Sequence, residues 1–89
     1  MVIKIHFPSL PQGRTLDIVK AELGDVLADD GWLLGSAEKG GSGYIELELE
    51  DEKMNPKYGI LAVKNYLQKA GFDPYTTIDL QGTKSRIFD

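Results

Sequence analysis

Apolar and polar residues alternate from Val2 to Phe7, with Ile3, Ile5 and Phe7 on one face and Val2, Lys4 and His6 on the other. That period of two predicts a half-buried strand. Pro8 and Pro11 end it. Thr15 then offers an N-cap and Asp17 an anion in the first turn, and Leu16, Val19, Leu23, Val26 and Leu27 recur at helical spacing. Gly24 weakens that helix interior by up to ~1 kcal/mol relative to Ala and leaves room for another backbone to pack closely. Asp30-Gly31 predicts a turn into a short strand over 32–37 whose facing the pattern leaves open. Lys39-Gly40-Gly41-Ser42-Gly43 predicts a flexible hairpin loop. Beyond it Ile45, Leu47 and Leu49 alternate with Tyr44, Glu46, Glu48 and Glu50, one face core and the other acidic.

A second helix is announced by Asn55 as N-cap and Pro56 at its first position, with Ile60, Val63, Leu67 and Ala70 as its core stripe. Gly71 followed by Phe72 predicts a Schellman ending that returns Phe72 onto Leu67. Asp73-Pro74 turns the chain into a last strand, where Ile78 and Leu80 alternate with Thr77 and Asp79. The reading is a single domain over 1–82 and a C-terminal tail over 83–89. The order strand, helix, strand, strand, helix, strand, with right-handed crossovers, gives an α+β fold. Its form is the ferredoxin-like βαββαβ two-layer sandwich, an antiparallel sheet in the order 4-1-3-2 with both helices on one face. The first and third strands are then central. Lys4 and His6 stand beside Glu46, Glu48 and Glu50 on the face no helix covers, and the second and fourth strands are the edges.

Length and composition agree with one modest core. The chain has 89 residues, 42% hydrophobic and 27% charged, and no Cys, which removes disulfides, thiolate nucleophiles and sulfur-ligated zinc. No apolar run approaches the ~20 residues of a membrane span, and the alternating start is not a signal-peptide core, so a cytoplasmic protein is expected. The net charge of −4 hides a division. From Asp17 to Glu52 eleven carboxylates face only Lys20 and Lys39, while the rest of the chain carries eight cations against Asp73, Asp79 and Asp89.

Few residues are placed for chemistry. Three carboxylates on a central strand would repel phosphates, which argues against nucleic acid. Successive same-face residues stand nearly ~7 Å apart, too far for Glu46, Glu48 and Glu50 to share one ion, and His6 has no partner at ligand spacing, so no metal site or cofactor is expected. The glycine-rich 39–43 loop leads into a strand, whereas a phosphate-binding loop leads into a helix N-terminus.

Gln12-Gly13-Arg14 and Gly31-Trp32-Leu33-Leu34-Gly35 resemble acylphosphatase segments. The resemblance implies a phosphate cradle at Gln12, Gly13, Arg14 and Thr15. However, Arg14 follows Gly13 directly instead of three residues later, and Gly35 stands where the family has its water-positioning Asn, which implies that most turnover is lost. The Gly40–Gly43 hairpin, the acidic strand Tyr44–Glu50, and the Gly71–Pro74 and Thr76–Ile78 segments resemble small stand-alone bacterial proteins of ferredoxin-like fold that have no assigned activity. No catalytic residue is identified.

The expectation is therefore a small acidic non-enzymatic protein-binding domain, of inhibitor- or immunity-like or self-associating type. It would use Glu46, Glu48, Glu50, Tyr44, Lys4 and His6 together with Trp32 toward a basic protein partner, or an edge strand toward a second copy. Neither nucleic acid nor membrane is expected as a partner. Two alternatives stand beside it: a ligand-sensing regulatory domain contacting its ligand through Gln12, Gly13, Arg14 and Thr15, or an acylphosphatase-like phosphate binder, which is the leading enzymatic alternative.

Overall fold

The computed structural model describes residues 1–52 and 55–88. Its elements are β1 (Val2–Phe7), α1 (Leu16–Leu27), a 3₁₀ turn (Ala28–Asp30), β2 (Gly31–Lys39), β3 (Ser42–Leu49), α2 (Pro56–Ala70), β4 (Thr77–Leu80) and β5 (Thr83–Arg86). The fold is α+β, with two helices and one five-stranded antiparallel sheet. The strand order is β2-β3-β1-β4-β5, which differs from the expected four-stranded 4-1-3-2 by a strand beyond β4.

That fifth strand lies in the stretch expected to be a tail. Gln81 and Gly82 form a two-residue turn, both with positive φ (55° and 98°), and Gly82 N donates to Asp79 Oδ1 at 2.8 Å. Paired positive φ values make the primed hairpin turn whose twist suits antiparallel strands. Thr83–Arg86 then pairs with β4, and Ile87 is fully buried in the core. The Ile87 carbonyl accepts from Gln68 Nε2 on α2, and Ile87 N donates to Thr76 O at 3.4 Å, so the chain end is fastened to both layers. The domain therefore continues past residue 82, and only Asp89 of the expected tail lies outside the described residues. The edges are β2 and β5, not β2 and β4.

Alternation decides the layers. Ile3, Ile5 and Phe7 of β1, Ile45, Leu47 and Leu49 of β3, and Ile78 of β4 are buried in one cluster with Val19, Leu23 and Leu27 of α1 and Val63, Leu67 and Ala70 of α2. One sheet face therefore carries both helices. Removing this apolar area from water, at ~25 cal/mol per Å², is the main stabilising term of a domain without disulfides.

Both helix starts are capped as the sequence predicts. Ile18 N donates to Thr15 Oγ1 and Lys57 N to Asn55 Oδ1. Helix α2 ends in a Schellman pair, Phe72 N to Leu67 O at 3.1 Å and Gly71 N to Gln68 O at 3.3 Å, with Gly71 left-handed at φ 88°.

The β2–β3 connection is tighter than the expected five-residue loop. Only Gly40 and Gly41 turn (φ 65° and 91°), while Lys39 already pairs with Ser42 and Glu38 with Gly43. Gly43 is required for a different reason: a Cβ there would lie 2.0 Å from Ala37 O. The facing of β2 is also resolved. Trp32 pairs outward with Glu48 and Leu33 inward with Leu47, and a bulge at Leu34 puts Gly35 opposite Glu46 and Ala37 opposite Tyr44.

Candidate functional site

The face opposite the helices is uncovered, and the registers arrange it in rows. Trp32, Glu48 and Val2 form the first, across β2, β3 and β1. Glu46, Lys4, Asp79 and Lys84 form the second, acid and base in strict alternation across β3, β1, β4 and β5. Ala37, Tyr44, His6, Thr77 and Arg86 form the third, from edge to edge. The antiparallel sheet thus brings Lys4, His6, Tyr44, Glu46 and Glu48 together, as the sequence predicts.

Glu50 is the exception. Leu49 is the last β3 residue, and Glu50 turns away: its backbone N donates to Asp30 O at 2.8 Å and its Oε1 accepts from Glu52 N at 3.0 Å. Glu50 caps a turn instead of extending the acidic strand. It belongs to an acidic end of the molecule, where the carbonyl of Asp30, next to Asp29, meets the Glu50–Glu52 turn. There the N-terminal ammonium pairs with Asp51 at 3.0 Å and donates to Leu49 O at 3.1 Å.

The uncovered face is consequently not uniformly acidic. In its middle row each carboxylate has a cation as its register neighbour, so opposite charges stand side by side. The carboxylates without such a neighbour lie toward the Trp32 row. Trp32 itself is 49% exposed and Val2 39%, so both flanks of Glu48 are open apolar surface.

The opposite end is aromatic. The His6 and Tyr44 rings lie 6.5 Å apart and tilted, and the Lys4 ammonium sits 4.3 Å from the Tyr44 ring centroid. Tyr75, just before β4, is 74% exposed, with the Arg86 guanidinium carbon 5.9 Å from its ring centre. Between the two tyrosines is an open depression of about 460 Å³, whose polar lining comes from His6, Thr77, Ser42 and the tyrosines and includes no carboxylate. A cation over a ring face is held by the ring's quadrupole, so both tyrosines carry positive charge at their borders.

The alternative loop lies elsewhere and is committed. Arg14 Nε donates to Glu22 Oε1 at 2.9 Å and Nη1 to the Ala70 carbonyl at 3.4 Å, while Tyr66 OH donates to the same Glu22 oxygen at 2.8 Å. The Tyr66 hydroxyl first and Arg14 second hold the Glu22 carboxyl below its usual range. Burial and the Glu22 carboxylate push the Tyr66 hydroxyl well above the usual phenol range. This cluster joins the 11–14 turn, closed by Arg14 N on Pro11 O at 3.1 Å, to both helices. An anion at Gln12, Gly13, Arg14 and Thr15 would compete with Glu22 for the Arg14 charge, and the Thr15 hydroxyl is already in use as the α1 cap.

Sequence reasoning missed Tyr75, Thr77, Asp79, Lys84 and Arg86 as members of the face. Thr77 and Asp79 alternate outward in the predicted last strand and were available as a signal, whereas Lys84 and Arg86 were hidden in the supposed tail. Among the described residues no three His, Cys, Asp or Glu side chains are grouped to hold a metal ion, and no helix is long and apolar enough to cross a membrane. Comparisons with protein-family models, with curated proteins and with solved structures give no match to this chain.

Proposed function

We propose that this chain is a non-enzymatic binding module that docks a basic protein on the acidic, Trp32-bearing end of its uncovered sheet face. The observation that carries the reading is the row Trp32, Glu48, Val2, an exposed indole and an exposed aliphatic side chain flanking a carboxylate near the Glu50–Glu52 turn. Exposed aromatic anchors supply binding energy disproportionately, and unbalanced acids steer a basic partner during encounter. The commitment of Arg14 to Glu22 and Ala70 supports a binding role over phosphate chemistry. We read the fold as a ferredoxin-like arrangement extended by β5, and the setting as cytoplasmic.

The test is quantitative affinity capture from the source lysate by the parent protein, by Trp32→Ala and by Glu46→Gln/Glu48→Gln. A basic protein should be retained by the parent and lost from both variants. With that protein purified, the glutamine variant should associate more slowly and with a flatter salt dependence. Identical retention by all three would remove this end of the face.

A second reading, self-association, is favoured by the β2 edge. That strand is nine residues long, unpaired along one side, and exposes Leu34 at 46%. The β5 edge is four residues long and carries Lys84 and Arg86, charges that discourage strand addition. A concentration-dependent dimer abolished by Leu34→Lys would establish the reading, and a monomer at all concentrations would end it.

A further inference from the structure

We propose that the depression between Tyr44 and Tyr75 is a binding site for a small planar aromatic anion. Its ring would be held between the two tyrosines, and its acidic group would be met by Lys4 or Arg86. The proposal shares with the protein-docking reading only the premise that the uncovered face is the working surface, and it concerns the opposite end of that face.

Spacing argues for a ring. Tyr44 is on β3 and Tyr75 lies two residues before β4, the two strands that flank β1. Strands two positions apart have axes roughly 10 Å apart. Two rings leaning toward each other around a third planar group need about 7–8 Å between their planes, at ordinary carbon contact distances. The strand between them carries His6 and ends at Phe7, and both residues line the open depression. The exposure of Tyr75 fits the same role: a ring 74% open to solvent makes little contribution to the core and is free to stack.

Charge argues for an anion. The depression has no carboxylate in its lining, although this is an acidic chain and Glu46 and Asp79 lie one row away. Its borders instead hold Lys4 over Tyr44 and Arg86 over Tyr75. An acidic group on the ligand would meet one of these cations at the border of a depression that no carboxylate lines.

Size and surroundings argue for a small molecule. About 460 Å³ suits one ring system with a short substituent. An extended phosphate backbone leaving the slot would run over Glu46, Glu48 or Asp79 and be repelled.

The experiment is titration of the intact protein, followed by NMR of the His6 and tyrosine ring protons and by calorimetry. Two probes carry ring and acid together, AMP and quinoline-2-carboxylate. Adenosine lacks the acid, inorganic phosphate lacks the ring, and a single-stranded oligoadenylate carries the extended backbone. At least one of the first two should saturate in the millimolar range or below, moving the His6, Tyr44 and Tyr75 resonances, with adenosine and phosphate about tenfold weaker or more.

Tyr75→Ala should weaken binding about tenfold, the scale of a lost stacking platform, while Tyr75→Phe retains it. Arg86→Gln should weaken the anionic probes and leave adenosine unchanged. Trp32→Ala should leave probe affinity intact while abolishing partner capture, so the two proposals fail separately. No saturation by either anionic probe, or saturation without movement of the slot resonances, overturns the proposal. Oligoadenylate binding far tighter than AMP would replace it with a nucleic-acid interface.

Discussion

Two glycines inside helices face opposite environments, and alanine at each should move stability in opposite directions. Gly24 of α1 is exposed, and a Cβ built on it meets nothing within 4 Å. The close backbone packing that its position invites does not occur there. The close approach is instead at Gly59 of α2 and is made by a side chain: the glycine is buried, and a Cβ there would lie 3.1 Å and 3.3 Å from the two δ-carbons of Leu49. Alanine gains about 1 kcal/mol of helix propensity at either position. At Gly24 nothing opposes the gain, so Gly24→Ala should stabilise by about 0.5–1 kcal/mol, a rise of roughly 2–8 °C in melting temperature for a domain this small. At Gly59 the methyl must push Leu49, which is 1% exposed and packed on all sides, and overpacking of this kind costs ~1–3 kcal/mol. The net for Gly59→Ala is a loss of about 0–2 kcal/mol, leaving the two variants ~1–3 kcal/mol apart. Urea unfolding of both variants beside the parent, with slopes compared to confirm a common unfolding transition, measures the difference directly. Equal stabilisation by both alanines would show that α2 does not rest on Leu49 as closely as described.

Three further outcomes follow from single contacts. Thr76 is fully buried and its hydroxyl has no partner among the described residues, so Thr76→Val should stabilise by about 1 kcal/mol in thermal unfolding, and a loss would mean that the hydroxyl is satisfied. The Glu22 carboxyl titrates below its ordinary 4.5, so its contribution is fully present above that pH and is lost as pH falls through the lower folded value. Glu22→Gln should therefore be less stable than the parent at pH 7 in urea titrations, with the gap closing as pH falls below the ordinary carboxylate range; a gap independent of pH would assign the effect to packing. Gln81 holds φ 55° in the β4–β5 turn, and Gln81→Asn, which creates the Asn-Gly pair that such turns prefer, should stabilise by about 0.5–1 kcal/mol. An unchanged melting temperature would show that the turn tolerates glutamine without strain.

The legible parts of the sequence were those where one residue type answers one local demand. Thr15, Asn55-Pro56 and Gly71-Phe72 mark helix ends because orphan backbone groups there need these side chains or this φ, whatever the tertiary fold. The strands β1 and β3 were legible because each has one buried and one open face. Strand β5 was not, because Thr83-Lys84-Ser85-Arg86 buries no apolar side chain and the anchoring Ile87 comes after it. A polar edge strand and a polar tail have the same pattern, and only the paired positive φ of Gln81 and Gly82 separates them. The role of Glu50 was illegible for a related reason. Period two continues through it, but the strand ends where Glu50 N finds Asp30 O, a contact 20 residues away in the chain.

The fifth strand changes what the face can do as well as how it ends. Without β5, Asp79 and Thr77 would form an open edge, and the middle row would hold two carboxylates, Glu46 and Asp79, against Lys4 alone. With it, Lys84 stands opposite Asp79 and Arg86 opposite Thr77, so the middle row alternates in charge across four strands. Neighbouring opposite charges offset one another, and each such pair contributes only a few tenths to ~1 kcal/mol. The centre therefore attracts ligands of neither sign strongly. The unbalanced chemistry is displaced to the ends, Glu48 beside Trp32 at one and Arg86 beside Tyr75 at the other, with Lys4 of the middle row reaching over Tyr44. A row that separates two such ends electrostatically also makes the two proposals separable by mutation, because Glu48 and Arg86 lie at opposite limits of the same surface. The acidic composition that first pointed to a basic partner then governs only one end of the face, and the other is read from the ring geometry and its two cations.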